Sequence, residues 1–317
     1  MNGARAEAML PRVGTWQPTR HAMQRVDSLI QEYREEVIRC LEPLVRGYYP
    51  ALFDAPDNEY LKMVELTTKM TLVGSACTQL AGETYDRRRL TLGNLYGGCC
   101  FLADSFIDDF GEAKTKEYLE RFEILLTEGW FEIKNDREQL FYVIVSRMFG
   151  ERDIFDTTLR QAILRLFEAQ KRDVQLRPRE SPFRSLPRRI QLEMLRQCAR
   201  DRGGQTSTVL SQFLMRDLDL FFLHPIFVAG GLFMYIDDHG DHYSDRHHDR
   251  VTYLNQVKDP ARTLRRIFLN DIQRLFDSLP ENAGRELLVA FLTRYYLTRI
   301  EKHRLQRSRA RSWEVYE

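Results

Sequence analysis

The stretch from Leu95 to Glu112 reads LYGGCCFLADSFIDDFGE. Apolar and small residues fill its first half without proline or strand-like alternation, which predicts a buried helix. Acids then arrive at Asp104, Asp108, Asp109 and Glu112. Asp104 and Asp108 are four apart and share one helical face, with Asp109 one step round. Like charges at that spacing repel, and charge at the end of a core segment is costly unless compensated. A hard divalent cation such as Mg²⁺ compensates it well, because it takes oxygen ligands and is often shared between carboxylates and substrate phosphates. Taken alone, the stretch reads more readily as an acidic helix end facing water, since acidic clusters on surfaces are common.

The same construction recurs from Gly230 to Asn255, GGLFMYIDDHGDHYSDRHHDRVTYLN. An apolar helix runs into Asp237, Asp241, Asp245 and Asp249, four apart and on one face if the helix continues, with Asp238 beside them. His239, His242, His247 and His248 are interleaved, so a mixed His/Asp zinc or iron site is a competing chemistry. His239 points off the Asp237–Asp241 face, whereas His242 and Asp238 share one. Arg246 and Arg250 suit a phosphate group better than a cation.

Outward from these stretches, helical periodicity dominates: Val26 to Val45, Lys116 to Thr127, Thr157 to Val174, Arg188 to Arg200 and Pro260 to Leu279 place apolar residues at spacings of three and four. Phe141 to Val145 is the nearest approach to a strand and fits a helix equally well. Pro50 to Asp57 reads as a loop, Gly150 to Asp153 as a turn, and Arg177 to Arg188, with three prolines, as a linker. No Gly-rich phosphate loop appears. The expectation is an all-α, single-domain antiparallel bundle around a central apolar cavity. It spans 26–304, between a mobile segment 1–25 and a basic tail 305–317.

Composition narrows the function classes. Of 317 residues, 43% are apolar, enough for a sizeable core, and the net charge of +1 argues against nucleic acid as the main partner. The five cysteines, Cys40, Cys77, Cys99, Cys100 and Cys198, are odd in number and lack CxxC spacing. They read as reduced thiols of a cytoplasmic protein. The strongest apolar run, Ile226 to Ile236, is too short to span a bilayer, and extending it to Leu220 takes in His224 and Pro225, so no stable membrane insertion is expected. A homodimer stays open.

The two acid-tipped helices mean more together than apart. If they meet at one cavity mouth, the greasy helices behind them line an apolar pocket. That suits an anionic head on an apolar tail. Carboxylates cannot hold a diphosphate directly, and bridging Mg²⁺ removes that conflict. Phe101, Phe106, Phe221, Phe222, Phe227, Phe233 and Tyr235 are the nearby aromatics able to face a carbocation. Core packing explains most of them, and Phe101 and Phe233 are the ones carried forward as cavity residues.

ADSFIDD (Ala103 to Asp109) resembles the DxxxD motif of squalene and phytoene synthases and the first aspartate motif of the tetraprenyl-beta-curcumene synthase family. YIDDHGD (Tyr235 to Asp241) resembles the second motif of that latter family, and VTYLN (Val251 to Asn255) is loosely similar to the segment downstream of that motif. GGQTS (Gly203 to Ser207) sits where such enzymes often carry a helix break. The chain thus resembles the class I isoprenoid synthase superfamily, specifically at the two motifs and in layout from Leu66 to Val257. The resemblance implies three Mg²⁺ ions, a prenyl diphosphate substrate and loss of diphosphate. It assigns metal binding to Asp104, Asp108 and Asp109, and to Asp237 and Asp241 with Asp238 and Asp245 as substitutes. Arg294-Tyr295 is similar to a diphosphate-sensing pair of terpene cyclases, and Arg246 and Arg250 join it as candidate diphosphate ligands. In another frame, DDFGE (Asp108 to Glu112) and DDHGD (Asp237 to Asp241) are loosely similar to the DDxxD motifs of chain-elongating prenyltransferases, but no arginine pair comes after the first. The second motif also departs from the Asn/Ser/Glu triad of typical terpene cyclases.

The reading is therefore a terpene synthase that ionises a prenyl diphosphate and then cyclises or rearranges the cation. A head-to-head prenyl synthase, a metal-dependent phosphohydrolase and a non-enzymatic helical scaffold are the alternatives.

Overall fold

The computed structural model describes residues 18–55, 58–108, 111–151, 156–177, 181–248 and 250–313, and for 107, 108, 111–113 and 308–313 the main chain alone. The described residues form twelve α-helices and no strand, so the chain is all-α as its periodicity predicts. In order they are α1 (Arg20–Tyr48), α2 (Glu59–Leu80), α3 (Arg87–Asp108), α4 (Gly111–Glu128), α5 (Asp136–Glu151), α6 (Thr157–Leu176), α7 (Arg188–Leu214), α8 (Leu220–Gly240), α9 (His242–His247), α10 (Tyr253–Gln256), α11 (Pro260–Ser278) and α12 (Ala283–Trp313). Single 3₁₀ turns at Pro50–Phe53 and Pro182–Ser185 occupy the loop and the linker.

Helix starts follow local chemistry. Thr19 accepts from the Ala22 amide at α1, Asp156 from Thr158 and Leu159 at α6, Asp219 from Phe222 at α8, and Asp259 from Arg262 at α11. Each satisfies amides that the first helical turn leaves without partners. Along α1, Val26, Tyr33, Val37, Leu41 and Leu44 are buried on one stripe. The helix already begins at Arg20, inside the segment expected to be mobile, and α12 continues to Trp313, through the start of the expected tail.

α2, α3, α7, α8 and α12 make the central packing, α7 against α8 most extensively. Two sequence expectations change here. GGQTS does not break a helix: α7 runs through it. A Cβ on Gly203 would collide with the carbonyl oxygen of Gly230, and one on Gly230 with that of Gly203, so the glycines let two backbones touch. Gly203→Ala should therefore push α7 and α8 apart and destabilise the protein by about 1–3 kcal/mol, read from urea unfolding. A midpoint equal to wild type would show the seam to be slack.

The second change concerns α8. His224 and Pro225 lie within it, making it 21 residues, long and apolar enough by length and composition to cross a membrane. It packs instead against α7, α11 and α12, with Ile226, Leu232 and Ile236 at 0–1% exposure. Pro225 is tolerated because the missing amide would have bonded Phe221, whose residue is 91% exposed and whose carbonyl can be solvated.

Candidate active site

One cavity joins the two acid-tipped helices. Asp104, from the end of α3, and Asp237, from the end of α8, both line it. Its walls come from α2 to α8, and its volume is about 180 Å³. That is small beside usual ligand pockets of about 300–1,000 Å³. Met70, Met148 and Met234 line it, and such unbranched side chains can yield space. Behind the acids the lining is aromatic and apolar, with Tyr96, Tyr118, Phe122, Phe149, Phe213 and Phe233 among its residues. Phe233 stacks on Tyr295 at 4.4 Å between centroids. Phe101 is not among the lining residues, and Phe106 is fully buried against Tyr118.

The interior is of low polarity. Burial pushes the Cys100 thiol up to about 12, and raises Cys99, Tyr96 and Tyr118 well above their ordinary values. These groups stay protonated and uncharged at neutral pH.

Protein cations face the acids. Arg202 of α7, only 13% exposed, sits at the mouth. Its guanidinium lies 3.4 Å from Asp104 and 3.2 Å from Asp173 of α6, and its Nε donates to Gln170 at 3.1 Å. On the other side, α12 supplies Arg299, which ion-pairs with Asp237, and Lys302, which ion-pairs with Asp241. The Tyr295 hydroxyl donates to Asp237, and Arg299 Nε donates to that hydroxyl at 2.8 Å. Arg299, then Lys69, hold the Asp237 carboxyl below its usual range against the opposing effect of burial.

Asp238 is the exception. It forms no hydrogen bond or ion pair among the described residues. Burial, then Asp245, push its carboxyl well above the ordinary value, against the pull of Arg202. An acid without a counterion beside like charges is the setting an added cation relieves, so the oxygen-rich donor set here fits a hard divalent ion. No three metal-ligating side chains among the described residues are already gathered as a cage. The protein cations hold Asp104, Asp237 and Asp241 instead.

A raised folded pKa means Asp238 opposes folding above its unfolded value of about 3.9, and the penalty shrinks as pH falls through the folded value. Asp238→Asn should raise the melting temperature of the metal-free protein at pH 7 by about 2–4 °C, with the gain fading toward pH 5. An unchanged or lower Tm at pH 7 would contradict the unpaired-acid reading.

The other sequence candidates fall as follows. Asp108 closes α3, but its side chain, like Asp109 and Asp249, lies outside the described residues. Asp241 stays on the side of Asp237 although α8 ends at Gly240: its amide bonds the Asp237 carbonyl at 3.0 Å and both carboxylates face Arg299, while Asp245 belongs to the short α9. Arg294 turns away and pairs with Asp27 at 2.8 Å, while its neighbour Tyr295 points inward. Arg246 is exposed, and neither it nor Arg250 lines the cavity. The histidines do not converge as ligands. His239 stacks on His303 at 4.0 Å, ring on ring, and burial pushes His239 down to about 3 and His242 to about 4. The sequence pattern missed Arg202, Asp173, Arg299 and Lys302. The available signals were Arg202 beside Gly203-Gly204, and Arg299 four residues after Tyr295.

No family model matches the chain, and no curated protein does. Among solved structures, the chain is similar to a farnesyl-diphosphate synthase candidate from Marinomonas sp. MED121. The identity is 11%, with 89% of this chain and 100% of that chain covered and a TM-score of 0.45. That likeness is too low to carry an argument about activity.

Proposed function

We propose that this protein is a Mg²⁺-dependent class I terpene synthase. One observation carries the reading: Asp104 and Asp237, from acid-tipped helices far apart in the chain, line the same apolar hollow with Arg202 at its mouth. Asp104, Asp108 and Asp109 of the first motif, and Asp237, Asp238, Asp241 and Asp245 of the second, would hold the ions. Bound Mg²⁺ would neutralise the diphosphate and stabilise the charge that develops as it leaves.

The remaining roles belong to the chain. Arg202, Arg299 and Lys302 can turn from their carboxylates toward diphosphate oxygens, for which guanidinium geometry is well suited. The allylic C–O bond breaks with its electron pair going to the diphosphate oxygen. Tyr96, Phe149, Phe213 and Phe233 present ring faces to the resulting cation and exclude water that would quench it. The Cys99 and Cys100 thiols and the Tyr96 and Tyr118 phenols are held protonated, so none is a ready base. The closing proton loss then falls to the departing diphosphate.

The test is incubation with C10, C15, C20 and C25 prenyl diphosphates, with and without Mg²⁺, and identification of hydrocarbon and alcohol products. Parallel reactions with isopentenyl diphosphate or NADPH separate cyclisation from chain joining. Release of a simple prenyl alcohol alone would favour a phosphohydrolase. Absence of any Mg²⁺-dependent diphosphate release would overturn the proposal.

A further inference from the structure

α8 borders two hollows with different faces. Phe233, Met234 and Asp237 look into the cavity, whereas Val228, Leu232 and Tyr235 line a separate groove of about 740 Å³ between α7, α8 and α11. Four arginines border this groove, Arg196 and Arg200 from α7 and Arg266 and Arg274 from α11, against two acids, Asp271 and Asp277. Arg200, Arg266 and Arg274 form no hydrogen bond or ion pair among the described residues, and Arg196 has only a loose 3.8 Å pair with exposed Glu193. The guanidiniums converge: Arg274, Arg200 and Arg196 each pull on the Asp271 carboxyl, which burial pushes up. Below them the floor is apolar, with Leu232 at 0% and Leu275 at 1% exposure. The Tyr235 hydroxyl is tied down, donating to the Arg196 carbonyl at 2.8 Å, and so keeps the groove's end fixed.

Four positive heads against two acids, above a greasy floor, are complementary to a phosphate bearing an apolar chain. The geometry points to this groove as a binding site for such an amphipathic phosphate, distinct from the cavity and backed onto it through α8. Its occupant is either a soluble chain-bearing phosphate or an anionic lipid headgroup, since both present the same chemistry. The inference goes beyond the proposed activity and does not depend on it.

Isothermal titration of the full chain in chelator-treated buffer with farnesyl monophosphate tests the site, with inorganic phosphate as the head alone. Co-sedimentation with phosphatidylcholine vesicles containing phosphatidylglycerol tests the lipid source. Farnesyl monophosphate should bind wild type and Asp104→Asn alike, and inorganic phosphate more weakly because it leaves the floor unused. Arg266→Glu/Arg274→Glu should weaken binding at least tenfold. Arg266→Gln/Arg274→Gln should show the same direction of loss and stands in if the Glu pair misfolds. Sedimentation lost in these variants assigns the groove to lipid, and farnesyl monophosphate binding without sedimentation assigns it to a soluble ligand. Wild-type binding of both probes by the folded variants, or no binding of either probe by wild type, overturns the inference. Because Asp104→Asn retains the groove, failure of the terpene synthase reading leaves this result intact.

Discussion

Asp104→Ala and Asp237→Ala are each expected to lower prenyl diphosphate turnover by about 10²–10³-fold or more, the scale seen when one preorganised electrostatic group is lost from an active site. The two substitutions differ in what else they disturb. The Asp104 side chain is 47% exposed, and its neighbour Arg202 keeps Asp173 and Gln170 as partners. Asp104→Ala should therefore fold normally, and its loss of activity reads on chemistry. Asp237 is different. Its removal leaves Arg299, 13% exposed, with only Asp241 at 3.6 Å and the Tyr295 hydroxyl. Asp237→Ala should lose stability as well as activity, because an incompletely paired buried charge is costly. Asp237→Asn, which preserves shape, separates the two effects: activity should still fall while the melt recovers toward wild type. Wild-type turnover by a folded Asp104→Ala protein would remove the basis for the metal reading.

The largest stability effect is expected away from the acids, at Arg121. This α4 side chain donates two parallel hydrogen bonds of 2.6 Å to Glu138 of α5 and a third, also 2.6 Å, to the Glu132 carbonyl. The partners are 10% and 3% exposed, and Glu138 also accepts from the Lys134 amide at 2.8 Å. Arg121→Met should destabilise the protein by about 3–5 kcal/mol, because Glu138 is left as a buried charge. The double substitution Arg121→Met/Glu138→Leu should regain much of that loss, since apolar replacement removes the desolvation penalty together with the pair. Denaturant unfolding of the two proteins decides it. Equal midpoints for Arg121→Met and wild type would show that the pair contributes nothing net. The pair also matters to the site, because α4 carries Tyr118 and Phe122 into the cavity wall.

The helical class is readable because apolar residues recur at spacings of three and four along most of the chain. The joining of Asp104 and Asp237 is readable from construction, two greasy helices ending in acids. The set of cations around them is not. Arg202 lies in ARDRGG and Arg299 in TRIEKHR, charge-rich strings whose local pattern looks like a solvated face. Only tertiary packing turns those guanidiniums inward. Arg294 misleads for the same reason: adjacent helical residues point about 100° apart, so Tyr295 can reach Asp237 while Arg294 meets Asp27 on the outside. Pro225 reads as an end because proline usually stops a helix, yet here the one carbonyl it leaves without an amide is that of Phe221, in the exposed first turn. The aromatic wall on α4 to α6 gives no motif at all, since Phe and Tyr at helical spacing are what any core looks like.

The glycine contact between α7 and α8 has a consequence for how this chamber can change. Backbone touching backbone leaves nothing to compress, so Arg202, one residue before Gly203, and Asp237, two turns beyond Gly230, are held in a fixed relation to each other. Diversification of the chamber's size or contour would have to proceed on the opposite side, where α4, α5 and α6 contribute replaceable aromatic and methionine side chains. A library randomised there should yield folded proteins far more often than one randomised along the seam.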